Sequence, residues 1–269
     1  MITTPKKARN KERCANMARI ARKLFVILLV LGAAAGFVSA QDASVQVQAA
    51  PDGTKFLTDS KGMTLYYFTL DTDGNSACYG DCAKAWPAFY AKDLTVSLDL
   101  DAADFGTVAR KDGSMQTTYK GWPLYYWVQD QKPGDMTGEN VHGVWFILKV
   151  PPYTVMIGTQ KPVGNYLTDG DGKTLYYFTK DSTGMSACTG NCLKNWPAFT
   201  ADTFVVPSVM NASDFGTITR DDGTTQVTFK GHPLYYFIKD AKRGLATGQG
   251  VGKVWYVVDP QKFNPAGGQ

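Results

Sequence analysis

Gly62-Met63-Thr64-Leu65-Tyr66-Tyr67-Phe68-Thr69-Leu70-Asp71 is a stretch that this chain of 269 residues writes four times. It returns as GWPLYYWVQD from Gly121 to Asp130, as GKTLYYFTKD from Gly172 to Asp181 and as GHPLYYFIKD from Gly231 to Asp240. A tryptophan follows each closing aspartate by fifteen positions: Trp86, Trp145, Trp196 and Trp255. The opening glycines lie 59, 51 and 59 residues apart, so two unlike modules are each used twice, at a constant offset of 110. A fixed period of this kind decides architecture before any single residue does.

Within the stretch, strand alternation sends Leu65, Tyr67 and Thr69 to one face and Tyr66, Phe68 and Leu70 to the other. Both faces are largely apolar, which predicts a central strand covered on both sides. Around it, short β-branched and aromatic runs are punctuated by Gly, Pro and Asp, the pattern of antiparallel hairpins. In the second module these runs are Gly106 to Arg110, Met115 to Lys120, Leu124 to Gln129 and Val144 to Val150, with a turn at Asp112-Gly113. The odd modules carry Ser76 to Pro87 and Ser186 to Pro197 instead, each read as a turn and a helix of one or two turns stopped by proline.

The expected fold is all-β and mainly antiparallel. It comprises two tandem homologous domains, 41–151 and 152–269, each made of two pseudo-symmetric β-meanders with a short cystine-clamped helix. The alternative is one closed, propeller-like assembly of four blades.

The first forty residues read as an export signal. Basic residues from Lys6 to Lys23 lead into the apolar run Leu24 to Ala35, and Val38-Ser39-Ala40 offers a cleavage site, with Met17 an equally good start. The run is short for a membrane span. This leader holds eight of the 28 Lys and Arg and one of the 24 Asp and Glu, so the remainder carries about −3 rather than +4. The apparent basicity is therefore a targeting feature, and nucleic-acid binding loses its main support. Export to the periplasm, cell envelope or exterior suits the cysteines. Cys14 is in the leader, and Cys78/Cys82 and Cys188/Cys192 form matching pairs expected as local structural disulfides. Cross-pairing between the halves would need them docked.

No catalytic constellation stands out. His142 and His232 are not repeated, and nothing resembles a nucleophile elbow, a phosphate loop or a zincin motif. Asp71, Asp130, Asp181 and Asp240 are the best candidates for a shared role. Asp71 to Gly74 and Asp181 to Gly184 have the Asp-first, Gly-fourth pattern of a type I turn, so the expected role is structural. Asp71-Thr72-Asp73-Gly74-Asn75 has a calcium-loop flavour that its twin, Asp181 to Met185, lacks. No cofactor or metal is expected. The module tryptophans are expected in the core, while Tyr79, Trp122, Tyr126 and Tyr236 are candidates for stacking on a sugar or a partner. Asn211-Ala212-Ser213 is a glycosylation sequon.

The quadruple motif resembles that of an exported, lipoprotein-type family of secreted repeats of unknown function, described by Tyr-x-(Phe/Trp/Tyr)-x-x-Asp. Tyr66, Phe68 and Asp71 match it, as do Tyr125, Trp127 and Asp130, then Tyr176, Phe178 and Asp181, then Tyr235, Phe237 and Asp240. The Ser-x-Cys-x-Gly-x-Cys segments followed by Trp-Pro are similar to this family too. The resemblance implies a bacterial or archaeal envelope protein, although the lipobox cysteine of its lipid-anchored members is missing here. It supplies no catalytic residues. The expected function is therefore non-enzymatic binding of an envelope protein, glycan or surface component. The alternative is an extracytoplasmic redox accessory holding a metal or cofactor through Tyr, Asp and Cys. Oligomeric state and partner identity are not legible at this level.

Overall fold

The computed structural model describes residues 44–265, so the signal segment and Cys14 lie outside the described residues. The first half runs β1 (Val45–Ala49), β2 (Lys55–Asp59), β3 (Tyr66–Phe68), helix α1 (Asp81–Ala85), β4 (Phe105–Ala109), β5 (Met115–Tyr119), β6 (Trp122–Pro123), β7 (Trp145–Ile147) and β8 (Lys149–Val150). The second repeats it as β9 (Val155–Gln160), β10 (Gly164–Asp169), β11 (Tyr176–Phe178), α2 (Asn191–Asn195), β12 (Phe215–Thr219), β13 (Thr225–Phe229), β14 (His232–Pro233) and β15 (Trp255–Val257). The strands form six small sheets of two or three strands, all paired antiparallel. They do not close into a barrel or a propeller, so the four-bladed alternative is set aside.

The meander is one strand shorter than its sequence suggests. β4, β5 and β6 form a three-stranded meander, with the β4–β5 turn closed by a bond from the Gly113 amide to the Arg110 carbonyl (3.0 Å). The expected fourth run, Val144 to Val150, instead crosses to the first module. There β7 pairs with β3 (Tyr66 opposite Ile147, Phe68 opposite Trp145) and β8 pairs with β2. The expected third run, Leu124 to Gln129, is extended only around Tyr125, which exchanges backbone hydrogen bonds with Tyr66 (2.9 and 3.0 Å). A buried strand must satisfy its backbone groups on both edges, and β3 takes both of its partners, β7 and Tyr125, from the second module.

β3 thus lies between two hydrophobic clusters, and period-two alternation sorts its side chains between them. Leu65 and Tyr67 join Leu57, Trp122, Leu124 and Phe146 on one side. Tyr66 and Phe68 join Phe56, Trp86, Tyr125 and Trp145 on the other. β11 does the same, with Leu175 and Tyr177 on one side and Tyr176 on the other.

The halves are also joined to each other. Tyr153, Met156 and Ile157 of the second half lie in the cluster that holds Val45 and Leu65. The Arg243 guanidinium reaches the carbonyls of Thr72 (3.1 Å) and Lys120 (2.9 Å) and lies 4.6 Å from the Trp122 ring centre. Pro133 stands where Arg243 does in the first half, so this bridge is not duplicated.

Candidate functional site

Each motif aspartate is bound to the motif tyrosine of the other module. Tyr125 Oη donates to Asp71 (2.6 Å) while Tyr66 Oη donates to Asp130 (2.7 Å). In the second half Tyr235 donates to Asp181 (2.8 Å) and Tyr176 to Asp240 (2.5 Å). The remaining carboxylate oxygens accept backbone amides from the loops that follow: Ala77 to Asp71 (2.7 Å), Thr137 to Asp130 (2.9 Å), Ala187 to Asp181 (2.7 Å) and Thr247 to Asp240 (3.0 Å). Two copies of one motif therefore latch onto each other reciprocally, and each latch also pins a loop. The turn role expected of Asp71 is present too, since the Gly74 amide bonds its carbonyl at 2.9 Å. In the second half the Gly184 amide bonds Gly231 instead.

The third motif position has a separate task. Phe68, Trp145, Trp86 and Trp127 stack face to face, with ring centres 4.1, 3.9 and 4.1 Å apart. Phe178, Trp255, Trp196 and Phe237 do the same at 4.2, 3.9 and 4.2 Å. The motif aromatic of each module closes one end of a stack whose middle is the two module tryptophans. Stacked pairs of this kind contribute about 0.5–1.5 kcal/mol each beyond their buried area.

Behind the Asp71 latch lies a buried arginine that the sequence reading did not single out. Arg110, at the end of β4, donates to Ser76 Oγ (2.8 Å), to the Gln116 side chain and to the Cys78 carbonyl (2.8 Å). The Ser76 hydroxyl also lies 2.8 Å from the Tyr125 oxygen, whose single proton goes to Asp71. Arg220 makes the same three bonds, to Ser186, Gln226 and the Cys188 carbonyl. A signal was present: Arg, Gln, Ser and Cys all recur at the 110 offset. The Cys78–Cys82 and Cys188–Cys192 disulfides are formed, with Cα atoms 5.2 and 5.3 Å apart, and hold the carbonyls that these arginines grip.

Burial dominates the electrostatics here. It raises Asp71 to about 7 against the favourable pull of Tyr125 and the Ala77 amide, and raises Asp181 to about 6. The partner tyrosines Tyr125 and Tyr235 are pushed far above the ordinary phenol value, by burial first and by their carboxylates second. These hydroxyls remain protonated donors.

The halves part company on the outer face of the arginine. Tyr79 covers Arg110, with the guanidinium carbon 4.7 Å from its ring centre and its hydroxyl accepting from the Lys111 amide (2.9 Å). Thr189 replaces it in the second half. There a cleft of about 430 Å³ opens over Arg220, walled by Met185, Leu193 and Ile218 and edged by Asp221 and Asp222. Asn75, Ala83 and Val108 occupy the equivalent wall positions in the first half. Ser76 is buried beneath its tyrosine, whereas Ser186 is partly open.

Of the other stacking candidates, Trp122 is fully buried, and Tyr126 and Tyr236 donate to Asp59 (3.0 Å) and Asp169 (2.9 Å). His232 is half-buried against Phe263. Among the described residues, no group of three or more His, Cys, Asp or Glu side chains is placed to hold a metal ion, and no helix is long and apolar enough to cross a membrane.

Fold and site together define a duplicated antiparallel repeat, cross-latched by tyrosine and aspartate and clamped by local disulfides. Residues 46–90, 106–149, 159–200 and 216–259 match the model of a family described as a secreted repeat of unknown function, and the chain belongs to that family. No curated protein and no solved structure matches it. The family description and the two disulfides both fit an extracytoplasmic location.

Proposed function

We propose that the chain is a non-enzymatic, exported binding protein: a braced scaffold that takes an envelope component at the cleft over Arg220. One observation carries this reading. The repeated tyrosines and aspartates are engaged with one another in the interior, while the walled cleft lies where the second half departs from the first. Side chains held this way brace loops; they do not face a substrate. A pocket of several hundred cubic ångströms with apolar walls and a few polar groups is the usual form of a small-ligand site.

Cosedimentation of the exported chain with washed cell envelopes of its host tests this. Saturable binding that weakens when Thr189→Tyr fills the cleft, and that survives Tyr79→Phe, supports the reading. Binding unaffected by Thr189→Tyr would move the partner elsewhere. The redox alternative is tested by metal analysis and a visible spectrum of the natively purified protein. A stoichiometric metal or chromophore would overturn the non-enzymatic scaffold.

A further inference from the structure

The outer edge of β12 narrows what the cleft accepts. The Arg220 amide donates to the Thr224 carbonyl (2.9 Å) and the Lys230 amide to the Asp214 carbonyl (2.6 Å). Even-numbered positions of β12 therefore bond to β13, and Thr217, Thr219 and Asp221 turn their backbone groups outward. β12 is the last strand of its sheet, and these three residues are exposed. No hydrogen bond reaches their outward groups among the described residues. Charged side chains, proline or a bulge normally blunt such an edge. Phe215-Gly216-Thr217-Ile218-Thr219 has none of them.

The corresponding edge of the first half is stopped. Lys111 stands where Asp221 does, and its amide donates to Tyr79 Oη (2.9 Å), so a side chain supplies the acceptor that a further strand would bring. Thr189, in place of Tyr79, leaves the Asp221 amide without that acceptor. The face beside the β12 edge is shaped for side chains at strand spacing. Ile218 and Arg220 border the cleft of about 430 Å³, while Gly216 and Ile218 border a second of about 410 Å³ with Thr183 and Lys230. The two clefts meet at Gly184 and Ile218. A strand laid along the edge sends every second side chain to this face. One such side chain reaches the first cleft, against Met185, Leu193 and Ile218, and another reaches the second. Asp221 and Asp222 close one end of the groove and favour a cation there. Residues 203–219 contain no Lys or Arg, so an antiparallel second copy of β12 brings none on its strand, and a different chain fits better.

We propose that the free edge of β12 takes an extended segment of a partner polypeptide as an added strand, with alternate apolar side chains in the two clefts and a lysine or arginine beside Asp221 and Asp222. Main-chain bonds at Thr217, Thr219 and Asp221 hold the segment, and the clefts select its side chains. This rests on the binding reading above and specifies that the partner is a protein.

The test is titration of the disulfide-bonded chain with a capped peptide of alternating threonine and valine with a lysine at each end, followed by amide NMR and hydrogen exchange. Saturable shifts and slowed exchange are expected at Thr217, Thr219 and Asp221, and not at Lys111. N-methylation of the peptide's threonine amides and of its valine amides blocks opposite edges, so one should abolish binding and the other should leave it. Thr217→Pro removes an outward amide and fills the edge while sparing the bonds to β13. It should weaken peptide binding by about tenfold or more. Thr189→Tyr should weaken it too, by giving the Asp221 amide an internal acceptor. Unchanged exchange at Thr217 and Thr219, or equal effects of the two methylations, would overturn the proposal. So would protection of the same amides in a dimer formed without peptide. The methylated peptides decide the matter if Thr217→Pro does not fold. If Thr217→Pro leaves envelope binding intact while Thr189→Tyr weakens it, the added strand falls and the binding protein stands. If neither weakens it, both fall.

Discussion

Arg110 and Arg220 sit in the same frame of serine, glutamine and cysteine carbonyl, yet one is covered by Tyr79 and the other faces a cleft. The difference teaches where to look for function in a duplicated protein. What is kept at the 110 offset holds the fold together. What differs on the outer surface, Tyr79 against Thr189 and Asn75 against Met185, is free to serve something else.

The comparison breaks most visibly if the two aromatic stacks are not equivalent. Trp86→Ala and Trp196→Ala each remove the middle of a four-ring stack, and each is expected to cost about 3–5 kcal/mol, read by denaturant unfolding. A loss below about 1 kcal/mol in one half alone would mean that its stack is not a core element. The disulfides come next. Replacing both cysteines of either pair by serine should cost about 2 kcal/mol for so short a loop. Clearly unequal losses would show that the arginine and the cystine brace one half more than the other.

A pH titration separates the halves further. An unfolded aspartate ionises near 3.8, whereas folded Asp71 keeps its proton to about 7 and Asp181 to about 6. Between those values the folded state binds more protons than the unfolded one. Each group's stabilising contribution is therefore fully present below about pH 4 and is lost as pH rises through its folded value. Asp71→Asn should flatten this fall in stability up to about pH 7, and Asp181→Asn only up to about pH 6. A slope unchanged by either substitution would contradict the burial that raises them. The smallest effect belongs to the outer face. Tyr79→Thr removes one partly exposed cation–π contact, worth about 0.5–1 kcal/mol, and should barely move the unfolding midpoint while opening the first half.

Much of the fold was legible because it is local. The four copies, the two-faced strand at Tyr66 to Phe68, the turn at Asp112-Gly113, the prolines that end α1 and α2, and the close cysteine pairs all depend on neighbours a few residues away. The destination of Val144 to Val150 was not, since strand alternation is the same whichever partner a strand chooses. The latches were hidden for a related reason. Tyr125 and Asp71 are 54 residues apart, and only the crossing of modules brings them together. Arg110 and Arg220 read as charges at strand ends, where arginine is normally solvated. The cleft came from a set of outer-face exchanges, Thr189 for Tyr79 together with Met185, Leu193 and Ile218 for Asn75, Ala83 and Val108, which no local pattern singles out.

The reciprocal latch is what ties the two modules of each half together, and a double-mutant cycle on Tyr125→Phe and Asp71→Asn tests it most directly. A hydrogen bond from a buried phenol to this carboxylate predicts a coupling of about 1.5–3 kcal/mol in unfolding free energy, measured well above the folded Asp71 value of about 7, where the group is ionised. Additive losses, with coupling within about 0.3 kcal/mol of zero, would contradict it and return the motif to an unassigned role.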